Sequence, residues 1–126
     1  MTARATRAAV ALVAAALVWL GHSAMAWSHA ILLGSSPPPD ETVPSRLSRV
    51  VLRFNGRIEK LLSKVSLVDP RGRRVLLRVS GEGEPDQVIV PLPTLAPGAY
   101  VLEWQVLSVD GHLTRGSFPF RVALAS

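Results

Sequence analysis

The sequence predicts an all-β domain, a sandwich of about seven short strands with Greek-key connections. Three observations carry that prediction. Beyond residue 28, apolar and polar residues alternate over most segments, Gly- and Pro-rich turns punctuate them, and no sustained helical period occurs. The first strand is expected over Ala30–Leu33, then an extended proline segment, because Gly-Ser-Ser-Pro-Pro-Pro-Asp does not continue a regular element. Arg49 to Phe54 sets Val50, Leu52 and Phe54 inward against Val51 and Arg53. The one candidate for a helical turn follows, at Ile58 to Ser63. Lys64 to Val68 sets Val65 and Leu67 inward and turns at Asp69-Pro70-Arg71-Gly72 into a strand with Val75, Leu77 and Val79 inward. After a second turn at Gly81 to Pro85, Val88, Val90 and Leu92 face in. Pro93 to Gly98 loops into the longest alternation, where Tyr100, Leu102, Trp104 and Val106 oppose Glu103 and Gln105. Trp104 is therefore expected in the core and Glu103 in solvent. Phe118, Phe120 and Val122 complete the interior from the last strand, with Arg121 outward.

The N-terminus reads as a secretory signal peptide over residues 1–28: Arg4 and Arg7, then an apolar run of Ala, Val, Leu and Trp from Ala8 to Leu20. Thirteen residues fall short of the ~20 that a membrane-spanning helix needs. Two small-residue cleavage sites compete: Ala24-Met25-Ala26 leaves Trp27 first, and Ala26-Trp27-Ser28 leaves His29 first. The second is preferred here. Its product, residues 29–126, suffices for one small domain and carries a net charge of +3 against +5 for the whole chain. Export is expected to take the protein away from nucleic acid, so Arg71, Arg73 and Arg74 around Gly72 read as a solvated turn. Cysteine is absent, and both methionines, Met1 and Met25, lie in the leader. The mature domain therefore has no sulfur ligand and no thiol chemistry.

Chemistry concentrates in Ser108-Val109-Asp110-Gly111-His112. If this stretch is extended, Asp110 and His112 share one face; if Asp-Gly makes a hairpin turn, it is structural punctuation. The mature chain has only two histidines, His29 and His112. With His29 first, its α-amine and ring, the His112 ring and an Asp110 oxygen offer three nitrogens and one oxygen, a set that suits Cu(II). Zinc held by two histidines and a carboxylate is a chemical alternative. Hydrolytic chemistry finds little support, since a Ser-His-Asp arrangement would need one of these two histidines, and no phosphate-binding glycine loop is present.

From His29 to about Val122 the chain resembles the CopC family of periplasmic copper-binding proteins. The resemblance lies in His29-Ala30-Ile31-Leu32, Ser35-Ser36-Pro37, Val51-Leu52-Arg53-Phe54 and Leu95-Ala96-Pro97-Gly98-Ala99-Tyr100. It is most specific in Trp104 through His112, followed by Gly116-Ser117-Phe118. It implies a seven-stranded Greek-key sandwich or barrel, immunoglobulin-like or cupredoxin-like, that binds Cu(II) through His29, Asp110 and His112. Some members carry an acidic residue near the copper two positions after the strand-ending phenylalanine. Here that position is Gly56. The methionine-rich Cu(I) segment of some members is also missing. The resemblance thus implies a monomeric Cu(II) carrier or buffer in copper homeostasis or resistance, not an enzyme, served by a separate membrane copper transporter of the CopD type. Two other classes stand against it. One is a copper-dependent oxidative enzyme, since the terminal histidine chelate also resembles that of polysaccharide monooxygenases. The other is a structural or adhesive sandwich in which Asp110-Gly111 is only a turn.

Overall fold

The computed structural model describes residues 29–124; the leader expected over 1–28, and residues 125 and 126, lie outside the described residues. The fold is all-β, with the strands in two sheets. One sheet has three strands in the order β1 (Leu32–Ser36), β3 (Arg49–Phe54) and β6 (Gln87–Pro91). The other has five, in the order β2 (Thr42–Val43), β8 (Leu113–Val122), β7 (Gly98–Leu107), β4 (Lys64–Val68) and β5 (Arg74–Leu77). Alternation along each central strand sends one face inward. Val50, Leu52 and Phe54 of β3 and Val88 and Val90 of β6 meet Val65, Leu102, Trp104 and Val106 of the opposite sheet in one buried cluster. The Phe54 and Trp104 rings join the sheets edge to face, with centroids 5.2 Å apart. Opposite Trp104 in the β7–β8 register stands Gly116. A Cβ there would collide with the indole, so the glycine makes room for the ring. At the entry to β7, the Tyr100 hydroxyl donates to the Ala96 carbonyl at 2.7 Å, the hydrogen bond of a tyrosine corner.

Four details differ from the sequence reading. Eight strands are drawn among the described residues where about seven were expected. The extra one, β2, is a two-residue segment pairing in parallel with β8 at Thr42–Arg121 and Val43–Val122, too short to show any period. Strand β1 begins at Leu32 and runs through Gly34-Ser35-Ser36, with an irregular register against β3 between Leu32 and Gly34. Backbone pairing continues there despite small polar side chains, because ladder hydrogen bonds do not depend on side-chain apolarity. Val75 was expected inward but is 51% exposed, since β5 is an edge strand paired only with β4. Glu103 faces outward as expected but is paired: its two carboxylate oxygens accept from Arg74 Nε and Nη2, both at 2.9 Å. The Asp69–Gly72 turn and the helical turn, a 3-10 segment at Lys60–Leu62, form where expected. In the former, Asp69 Oδ1 accepts from the backbone N–H groups of Arg71 and Arg73, both at 2.9 Å.

Candidate metal centre

Strands β7 and β8 are one long hairpin, paired from Gly98–Val122 to Leu107–Leu113, and its closing loop holds the Asp-Gly-His stretch. That stretch is a turn. Gly111 N–H donates to Ser108 O at 2.9 Å, Ser108 N–H donates to His112 O at 3.0 Å, and Gly111 has φ +88°. A loop of three residues ending in a left-handed glycine is a standard hairpin closure, and the left-handed backbone is why glycine stands at 111. The turn does not separate the two candidate side chains. Asp110 Oδ1 lies 3.2 Å from His112 Nδ1 and 3.4 Å from the His112 backbone nitrogen. The extended reading of the stretch is therefore overturned, and the hairpin turn itself sets carboxylate against imidazole.

Ser108, buried at the base of the loop, fastens this arrangement. Its Oγ bonds Asp110 Oδ1 and also lies 3.2 Å from the His112 carbonyl oxygen. The Asp110 carboxyl is lowered to about 2, chiefly by the Ser108 hydroxyl; desolvation opposes this, and the His112 ring and backbone N–H add to the lowering. Asp110 is therefore an anion throughout the ordinary pH range. The folded value lies below the ordinary ~3.9, so the ionised carboxylate stabilises the fold above about pH 4 and loses that effect as pH falls toward 2. In Ser108→Ala the Asp110 carboxyl should titrate closer to ~3.9, with acid unfolding less steep over this window. The ¹³C carboxyl shift of Asp110 against pH measures it, and an unchanged midpoint would remove Ser108 from the account.

His29 reaches the same end of the sandwich from the other end of the described chain. Its ring stands edge-on to that of His112, with centroids 5.5 Å apart and planes at 75°. Two imidazoles sharing one ion through nitrogens at about 2 Å have centroids roughly 4–6 Å apart, so this spacing accommodates a shared ion. Among the described residues, however, no three His, Cys, Asp or Glu side chains gather as a ready metal cluster. Asp110 is turned to Ser108 and His112, and closing the set around an ion requires side-chain rotation. Gly56 has open space where a Cβ would project, so that position supplies no further side chain. A small cavity of about 90 Å³ lies between the Asn55–Ile58 loop and the Ser108–Asp110 loop, beside Ala30.

Two residues at this end were given no role in the sequence reading. Ser108 stood inside the motif, but its hydroxyl became a partner for Asp110 only once the turn closed. Asn55 follows the inward Phe54, and its side chain binds the segment that carries His29. Its Oδ1 accepts from Ile31 N–H at 2.8 Å and its Nδ2 donates to the His29 carbonyl at 3.1 Å. The Asn-Gly pair after a strand signals a turn, not a clamp on a distant segment.

Comparison with known proteins decides the family. The family model described as the CopC domain matches residues 32–123, most of the chain. The chain belongs to the CopC family. It is 33% identical over 124 residues to protein YobA of Escherichia coli K12, covering 96% of this chain and 97% of that one. It is 31% identical over 127 residues to copper resistance protein C of Xanthomonas campestris pv. juglandis, covering 94% and 96%. Among solved structures, CopC from Methylosinus trichosporium OB3b superposes with a TM-score of 0.72 at 33% identity, over 78% of this chain and 97% of that chain. Another relative, the copper transport protein CutJ of Bacillus subtilis, is 26% identical over 79% of this chain, but only 19% of CutJ is matched. The CopC match begins after His29, so that histidine rests on the geometry described above.

Proposed function

We propose that this CopC-family protein is exported to the periplasm as a monomer and there carries or buffers Cu(II), held by His29, Asp110 and His112. One observation supports it above the others: the fold places His29 and His112 with ring centroids 5.5 Å apart, and Asp110 sits 3.2 Å from the second ring. Cleavage after Ser28 would add the α-amine of His29, completing a set of three nitrogens and one oxygen suited to Cu(II). With Met1 and Met25 in the leader, the mature chain has no thioether for Cu(I). Asp110 stays anionic at neutral pH and so needs no proton release to bind. The α-amine does, with a reference value near 7.7–8.0, and affinity should rise with pH through that range. The role proposed is transport or storage without catalysis.

A separate membrane copper transporter of the CopD type is the proposed partner. Among the described residues no helix is long and apolar enough to cross a membrane. In CutJ, a copper transport protein, the matched region is a minor part of a longer chain. Protein purified from the exported fraction should have the mass of residues 29–126 and take up one Cu(II) with a nitrogen-rich paramagnetic resonance spectrum. Affinity weaker than micromolar, or another stoichiometry, would sink the carrier reading; copper-loaded protein that recovers no transporter from membranes would remove the partner.

A further inference from the structure

We infer that Asn55 is the positioning residue of the copper site, its side-chain amide holding the His29 segment so that the His29 ring meets His112. The inference rests on the reading that these two histidines share copper. Three hydrogen bonds tie Asn55 to this segment. Its backbone N–H donates to Ile31 O at 3.0 Å, its Oδ1 accepts from Ile31 N–H at 2.8 Å, and its Nδ2 donates to His29 O at 3.1 Å. The amide orientation follows from its partners, because the flipped form would set oxygen against carbonyl oxygen and nitrogen against N–H. The clamp has a rigid base. Phe54, the preceding residue, is fully buried, and its N–H donates to Asp86 O at 2.9 Å.

The ladder between β1 and β3 ends at Leu32–Phe54. Beyond it, Asn55 extends the attachment through both edges of its amide to the residue that carries the ring. Ala30, 4% exposed, supplies an apolar anchor between the two bonded residues. His29 itself is exposed and makes its described ring contact with His112. With the amide gone, the His29 carbonyl loses this partner and the ring is free to sample positions away from the hairpin. Copper would then have to order the segment on binding, which lowers affinity without removing a ligand. An aspartate at 55 would still accept from Ile31 N–H but would set a carboxylate oxygen against the His29 carbonyl.

The test is a double-mutant cycle on the exported protein, with Cu(II) as the probe. Asn55→Ala should weaken Cu(II) binding about 10–100-fold, the range for a group that orients a ligand. In a His29→Ala background it should change the residual affinity little. Asn55→Asp should behave like Asn55→Ala. In the metal-free protein, the proton contact between the His29 and His112 rings seen by nuclear Overhauser effects should vanish in Asn55→Ala, while the melting midpoint moves little. Equal losses with and without His29, parental affinity in Asn55→Asp, or a surviving ring contact would each overturn the inference. If the parent binds copper through His112 yet Asn55→Ala binds as well, only the positioning role falls. If the parent does not bind copper, the copper reading falls and takes this role with it.

Discussion

His112→Ala in the exported protein should weaken Cu(II) binding by more than about 100-fold, beyond the 10–100-fold that orienting partners carry. In the proposed site its imidazole is the hairpin's nitrogen donor, which neither the terminus nor solvent replaces. Asp110→Ala should cost less, because water or another anion takes an oxygen position more readily than it replaces an imidazole nitrogen. Paramagnetic resonance should show one coordinated nitrogen fewer in the first variant and an unchanged nitrogen count in the second. This outcome depends on cleavage after Ser28. A chain beginning at Trp27 would make His29 the third residue, and the amine, two backbone amides and the imidazole would wrap Cu(II) without the fold. Neither substitution would then matter. Intact affinity in His112→Ala would accordingly refute the three-residue site, and the N-terminal mass would say why.

Phe54→Ala should destabilise the domain by about 3–5 kcal/mol, the usual cost of emptying a buried aromatic position. Phe54 has no exposed surface and closes the core against Trp104 from the facing sheet. A cysteine-free domain has no disulfide to offset the loss. Such a deficit is a large share of the 5–15 kcal/mol that typically separates folded from unfolded protein. The denaturation midpoint measures it, and Phe54→Leu, which keeps most of the volume, should lose clearly less. Equal losses in the two variants would mean that ring packing is not what holds this point. Partial unfolding here should also weaken copper binding, since Asn55 follows directly.

The central strands were legible because burial repeats every second residue. Val50, Leu52 and Phe54, or Leu102, Trp104 and Val106, announce an inward face whatever sheet they join. Legibility failed at the edges. Val75 alternates like a core residue, but β5 has a neighbour on one side only, and nothing local says so. The same limit hid the pairing of Arg74 with Glu103, a contact between strands that flank β4.

At the candidate site, the residue types spoke for themselves and the arrangement did not. Two histidines, the Asp110 that stands two residues before one of them, and no sulfur in residues 29–126 are read directly from the sequence, and with them the preference for a Cu(II)-type ligand set. The Asp-Gly turn was one of two conformations open to that stretch, and the fold takes it with a left-handed backbone at position 111 that glycine adopts without strain. Only the tertiary structure decided that the turn presses Asp110 onto His112 with Ser108 beneath it, and that the His29 ring meets His112 while its carbonyl accepts from Asn55. The physical reason is range. Periodicity and turn chemistry act over a few neighbouring residues, whereas the meeting of His29 with His112 depends on sheet pairing between segments that the sequence leaves far apart.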